Sequence, residues 1–216
     1  MELNSLRPSP PGRKKAAPKK LDFGTYHHTT SEDSKEIRKM GESMFEDAFD
    51  SLPFRRDDEL KILDVGCGLG FLSCTSAEFF TKAQITGIDT FEHDSLRGSS
   101  IEKARENARF LGLSDRIVFE KGDVFTYNPK KSFDIFVSNL VYHNFGRRRF
   151  GAYSRLASWA RPGAYVVMGE LFFSPKIDLI RLSKEFRILK EIKPQTGFEI
   201  YLLLVMSRKG SEKKLA

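Results

Sequence analysis

Long apolar runs are missing from this chain. The longest aliphatic stretch, YLLLVM at 201–206, falls far short of the ~20 residues that a membrane span requires. No membrane partner is therefore expected, and with no apolar h-region near Met1, no signal peptide either. Cysteine is scarce: Cys67 and Cys74 stand alone, at a spacing that fits no metal or redox pattern. A reducing interior suits them, so the expected location is cytoplasmic. No internal repeat is visible. The body of the chain also lacks excess charge of either sign. Of the formal net charge of +7, residues 1–20 carry +5 and residues 207–216 carry +3, which leaves −1 between them. A basic nucleic-acid-binding face on the fold is thus disfavoured. RPSPPGRKKAAPKK and its C-terminal counterpart can still touch nucleic acid non-specifically, although solubilising disorder is the preferred reading.

What remains has an ordinary composition. At 216 residues, with 40% hydrophobic and 30% charged side chains, the chain can bury a substantial core. The expected organisation is a basic, proline-rich disordered tail at 1–22, one domain at 23–209, and a short basic tail at 210–216. Within the domain, 23–58 form a helical lid and 59–209 an α/β core.

Hydrophobic spacing supports that division. Ile37, Met40, Met44, Phe45, Ala48 and Phe49 recur at helical intervals, with Thr29 and Glu32 in capping-box relation before them. Strand-like and helix-like segments then alternate: KILDVG, FLSCTSAEFFTK, AQITGID, SSIEKARENARFLGL, RIVFEKGDV, SFDIFVSNLVY, RRRFGAYSRLASWA and AYVVMGELFF. Ser99 and Glu102 form the second expected capping box. Such alternation implies parallel strands covered on both faces, a doubly wound α/β fold. After the helix KIDLIRLSKEF, the stretches FRILKEIKP and FEIYLLLVMSRKG are joined only by QTG, too short for a crossover. They are expected to pair as an antiparallel hairpin, so that one reversed strand closes the edge of the sheet.

In KILDVGCGLGFLS, glycine at every second position means that something approaches the backbone closely. A dinucleotide fingerprint needs a glycine at position 71, where the chain has Phe71. Asp64, two residues before the first glycine, is poorly placed for a pyrophosphate and better suited to a cationic ligand. Asp89, ending the second strand, can accept from two ribose hydroxyls. A nucleoside with a cationic appendage and no phosphate fits both.

DVGCGLG, GID, GDV and FDIFVSN, in that order on successive strand ends, resemble the class I S-adenosylmethionine-dependent methyltransferases over about residues 60–173. The resemblance implies a Rossmann-like, mainly parallel seven-stranded sheet with an antiparallel last strand. It implies S-adenosyl-L-methionine as cofactor, with Gly66, Cys67, Gly68 and Gly70 against its amino-acid half and Asp64 ordering that loop. Asp89, with Thr90 beside it, takes the ribose diol. Asp123 accepts from the adenine amine, Val124 meets the ring, and the main chain near Asn139 reaches the methionine part. Asp123 has a second reading as the turn residue of KGD, and Cys67 reads as a small filler rather than a nucleophile. Phe91, in the long segment TFEHDSLRGSS, offers a stacking face or belongs to a plain surface loop.

SNLVYHNF, at the end of the fourth strand, bears on the acceptor. Asn139 to Tyr142 read Asn-Leu-Val-Tyr and depart from the Asn-Pro-Pro-aromatic run of adenine-amine methyltransferases. Ser138 and Asn139 do not replace the carboxylate of metal-dependent catechol-type enzymes, so no metal is expected. The stretch is similar to the S-x-L-x-x-H of enzymes acting on small molecules. His143 is the candidate general base, or a structural histidine bonded to backbone. Tyr142 and Glu170, and Tyr26 and His28 in FGTYHHTT, are candidate acceptor contacts. Arg147, Arg148 and Arg149 are a solvated helix start or a lure for an anionic substrate group. The expected activity is methyl transfer to a small-molecule acceptor. The alternatives are an RNA or protein methyltransferase and a non-catalytic cofactor-binding regulator.

Overall fold

The computed structural model describes residues 20–195 and 200–210. The tails at 1–19 and 211–216, and all of the QTG link except Gln195, lie outside the described residues.

Helix α1 spans Ser31–Asp50 and buries Met44, Phe45, Ala48 and Phe49. Its capping box falls one residue later than expected, on Thr30 and Asp33. Thr29 is otherwise engaged, donating its hydroxyl to Tyr26 O and bonding Ser34 Oγ. Seven strands follow: β1 Lys61–Val65, β2 Gln84–Asp89, β3 Ile117–Lys121, β4 Ile135–Asn139, β5 Tyr165–Leu171, β6 Phe186–Ile192 and β7 Tyr201–Arg208. They alternate with α2 Phe71–Phe79, α3 Ile101–Phe110, α4 Arg149–Trp159 and α5 Pro175–Glu185. Ser100 rather than Ser99 caps α3, accepting from Lys103 N. The backbone of Ser99 is tied into the preceding turn through Leu96 O.

The strands form one sheet in the order β3-β2-β1-β4-β5-β7-β6. Strands β1 to β5 pair in parallel, and β7 runs antiparallel to both of its neighbours. This corrects one expectation: the reversed strand lies inside the sheet, and β6 is the edge. Hydrophobicity explains the order. Tyr201 to Met206 of β7 are all buried, whereas β6 exposes Arg187, Lys190 and Glu191. A fully apolar strand gains most between two partners, and a charged one protects an edge from further pairing.

Alternation along each strand builds two cores. Ile62, Ile135, Val137, Leu203 and Val205 face one cluster with the α1 phenylalanines and α2. Leu63, Phe136, Val166, Met168, Leu202 and Leu204 face the other, with Tyr153 and Leu156 of α4 and Leu182 of α5. Central β1 has β2 on one side and β4 on the other, so the chain reverses its winding direction there. Open α/β sheets bind ligands at that crevice, beyond the carboxyl ends of the strands.

Candidate active site

The loop leaving β1 packs its backbone against the end of β2. Gly66 N and Cys67 N both donate to Ile88 O, and Gly68 N donates to Asp89 Oδ2 at 2.9 Å. Gly66 and Gly68 have φ of +76° and +51°, a region that costs other residues strain. Space matters as much: a Cβ on Gly66 would fall onto the side chain of Val141, and one on Gly68 would lie 2.8 Å from Leu96 Cδ2. Behind the loop, Asp64 is buried and accepts the Ser73 hydroxyl at 2.6 Å. Burial pushes its carboxyl up to about 7, the Ser73 bond pulls it back, and the charge of Asp89 adds to the rise.

In front of the loop is a cavity of about 840 Å³. Val65, Ile88, Asp89, Asn139 and Leu171 line it from the carboxyl ends of β1, β2, β4 and β5, and Ile37 and Met40 line it from α1. The strap before α1 closes one side. Arg38 holds it by donating to Phe23 O and Gly24 O, His27 N donates to Ser95 O, and Tyr26 pairs with Leu96. All four histidines of the chain, His27, His28, His93 and His143, line this cavity. A larger open depression of about 1270 Å³ lies between Lys184, Arg187, Arg208 and Lys209, but it contains none of the motif residues.

The fold gathers Gly66, Gly68, Asp89, Thr90, Asp123, Val124, Asn139, His143, Tyr26 and His28 around the one cavity. Asp64, Cys67 and Gly70 support the loop from behind. Cys67 is buried, and Gly70 starts α2 in a left-handed conformation. Asp89 accepts from Phe91 N at 2.7 Å as well as from Gly68, and Asp123 accepts from Phe125 N at 2.8 Å. Phe91 packs toward the first core cluster and does not line the cavity.

Two expected acceptor contacts are corrected. The chain leaves β4 at Leu140, whose φ is 57°, and winds into a 3₁₀ helix over Tyr142–Arg148. Tyr142 is fully buried there against Tyr153 and Phe145, and its hydroxyl has no hydrogen-bond partner among the described residues. Glu170 is buried too, because alternation along β5 puts it on the Val166 and Met168 face, while Leu171 faces the cavity. Its carboxylate accepts from Val141 N at 3.0 Å, Leu171 N at 2.7 Å, Tyr142 N, and Nδ1 of His143. Two residues of the arginine run have partners in the fold, and Arg148 also lines the cavity. Arg149 forms an ion pair with buried Asp178, and Arg148 stacks 4.2 Å over Phe125.

Sequence reasoning passed over Ile37, Met40, Phe173 and Tyr201 as cavity residues. The first two lie on the apolar stripe of α1 and read there as core. Tyr201 sits in an apolar strand and donates its hydroxyl to Asn139 Oδ1 at 2.9 Å, a link across 62 residues that no local pattern announces. Among the described residues, no group of three or more His, Cys, Asp or Glu is placed to hold a metal ion. None of the described helices is long and apolar enough to cross a membrane.

Residues 56–178, more than half of the chain, match the family described as "Methyltransferase domain". The chain belongs to this methyltransferase family. It is 34% identical over 88 residues to a tRNA1(Val) (adenine(37)-N6)-methyltransferase of Vibrio campbellii, covering 41% of this chain and 34% of that protein. It is 32% identical over 143 residues to phosphoethanolamine N-methyltransferase 1 of Arabidopsis thaliana, covering 65% of this chain and 26% of the relative. The matched region thus spans about a third or less of these relatives' length. Among solved structures, the magnesium protoporphyrin IX methyltransferase of Synechocystis superposes with a TM-score of 0.62 at 19% identity, covering 84% of this methyltransferase-family chain and 86% of that one. The [4+2]-cyclase SpnF superposes with a TM-score of 0.63 at 16% identity, covering 89% of both chains. At these identities the likeness is one of fold: the class I methyltransferase architecture, with its 3-2-1-4-5-7-6 sheet.

Proposed function

We propose that this protein transfers a methyl group from S-adenosylmethionine to a small-molecule acceptor. The observation that carries this reading is the glycine floor of the cavity, where added Cβ atoms would collide, flanked by the carboxylates of Asp89 and Asp123. Two carboxylates suit hydroxyl and amine donors and repel a phosphate. Arg148, the sole Lys or Arg among the lining residues, is stacked on Phe125. In this reading Asp89 and Thr90 hold the ribose, Asp123 and Val124 the adenine, and Gly66, Gly68 and the Asn139 main chain the amino-acid part.

Bound there, S-adenosylmethionine supplies a methyl carbon made electrophilic by its sulfonium. The protein's task is alignment, and holding reactants in line can supply up to roughly 7–11 kcal/mol. Ile37, Met40, Leu171, Phe173 and Tyr201 enclose the acceptor half, and His143, bonded through Nδ1 to Glu170, is the general base there. Two free, buried thiols, Cys67 and Cys74, support a reducing, cytoplasmic setting.

Incubation with methyl-labelled cofactor and a whole-cell extract tests this reading: label in a small molecule supports it, and label found only in RNA or protein contradicts it. RNA as acceptor is the second reading, favoured by the Vibrio relative and the basic tails. It requires that removing residues 1–20 weaken RNA binding steeply with salt. The third is a cofactor-binding regulator, for which the label would reach no acceptor.

A further inference from the structure

The carboxylate of Glu170 lies behind the cavity wall and receives four N–H donors. Oε2 accepts from Val141 N and Tyr142 N, and Oε1 accepts from Leu171 N and His143 Nδ1. Three of the four are backbone groups, so the carboxylate is fixed before it meets the ring. A carboxylate accepts all four, and the imidazole next to it must carry its proton on Nδ1. Nε2 is then the nitrogen left with a lone pair, on a ring that lines the cavity. Free imidazole has no such fixed choice, since the tautomer follows from the bond the other nitrogen makes.

The formally charged residues that line the cavity are Asp89 and Asp123, assigned above to the cofactor, and Arg148, which is stacked on Phe125. The lining residues from α1, β4, β5 and β7 and from the segment after β5 are Ile37, Met40, Asn139, Leu171, Phe173 and Tyr201. Burial raises the pKa of the Tyr201 hydroxyl, which stays a neutral donor to Asn139. None of these six offers a counter-ion to an amine, a carboxylate or a phosphate, and burying an unpaired charge is costly.

We infer that Glu170 is a positioning residue that sets His143 as a proton acceptor, and that the acceptor is a neutral, apolar phenol or enol methylated on oxygen. This rests on the methyl-transfer reading above. The acceptor O–H breaks and its proton passes to His143 Nε2. An oxygen electron pair bonds the methyl carbon as the carbon–sulfur pair withdraws onto sulfur, giving a neutral thioether. Buried Glu170 balances the imidazolium, which later releases its proton to water. A phenol or enol O–H is far more acidic than that of an ordinary alcohol and so gives its proton up more readily to an imidazole, and a neutral amine needs no base before it attacks.

Glu170→Gln is the discriminating variant. Its amide oxygen can replace Oε2, but its NH₂ would then face Nδ1, and the ring proton must move to Nε2. Long-range ¹H–¹⁵N spectra of the full chain at pH 8, with His143 assigned by its loss in His143→Asn, read the tautomer directly. The expected result is the Nδ1–H form in the wild type and the Nε2–H form in Glu170→Gln. An Nε2–H wild type, or a variant with an unchanged tautomer, overturns the assignment, and the wild-type spectrum decides even where the variant does not fold. Saturation-transfer NMR on protein loaded with S-adenosylhomocysteine, using 2-naphthol, 2-(aminomethyl)naphthalene and 2-naphthoate as probes, tests the acceptor class. Preferential contact with the naphthol is expected, and preference for the amine or the carboxylate overturns it. With a phenol that is turned over, Glu170→Gln lowers kcat by roughly 10²-fold and leaves KM and cofactor affinity nearly unchanged. If the tautomer is as expected but no S-adenosylhomocysteine binds, the methyl-transfer reading fails and the Glu170–His143 pairing stands. If S-adenosylhomocysteine binds and the tautomer is Nε2–H, the pairing fails and the methyl-transfer reading stands.

Discussion

Gly68 N donates to Asp89 Oδ2 across 2.9 Å, which ties the glycine loop after β1 to the last residue of β2. One carboxylate thereby shapes the loop and faces the cavity. Asp89→Ala removes the charge-assisted hydrogen bonds expected with the ribose, at ~1.5–3 kcal/mol each, so the cofactor Kd rises at least roughly tenfold. Calorimetry on the folded variant checks this. An unchanged Kd contradicts the ribose assignment.

Asp64 gives a pH signature. Its folded-state pKa is about 7, raised above 3.8 chiefly by burial. Between those values the folded protein keeps a proton that the unfolded chain releases. Its contribution to stability is therefore complete in acid and is lost as pH rises toward 7. Asp64→Asn still accepts from Ser73 but cannot ionise. Relative to wild type, the variant should gain stability from about pH 4 to 7 and hold a constant advantage above that. Urea midpoints across this range measure it, and parallel curves contradict it.

Tyr142 has a buried hydroxyl with no partner among the described residues, which costs free energy that Phe would not. Tyr142→Phe is expected to be more stable by about 1 kcal/mol, with turnover unchanged. A fall in kcat without any stability change would return this hydroxyl to the chemistry.

Gly66→Ala meets two obstacles, a positive φ and the side chain of Val141. Cofactor binding should be lost, and stability should fall by about 1–2 kcal/mol from the backbone alone, more with the collision. Adding Val141→Ala removes the two nearest atoms that the new Cβ meets, Cγ1 and Cγ2, and leaves Val141 Cβ 3.1 Å away. The double variant should recover part of the loss, as chemical denaturation of all four proteins would show, whereas additive effects would exclude a collision.

Much of this was legible in the chain. The strand and helix alternation pointed to the sheet, and DVGCGLG with Asp89 and Asp123 marked one half of the cavity, because those positions follow or end consecutive strands. Two kinds of information were not local. The place of β7 between β5 and β6 depends on which strand gains more from two partners, and that emerges only on comparing their burial. The inward turn of Tyr142 and Glu170 follows from the left-handed Leu140 and from the parity of β5, and a glutamate at a strand end does not declare which face it takes. The N-caps fell one residue later than expected because adjacent Thr29 and Thr30, and Ser99 and Ser100, offer equivalent hydroxyls; Asp33 completes the box at α1, whereas Lys103 stands in that position at α3.

The central claim is that the bare backbone after β1 receives a sulfonium nucleoside without a phosphate. Titration calorimetry with S-adenosylmethionine, S-adenosylhomocysteine and NADH addresses it most directly. Saturable one-to-one binding of the first two, weakened in Asp89→Ala, is predicted, with no uptake of NADH. Heat from NADH with none from either adenosyl compound would contradict it.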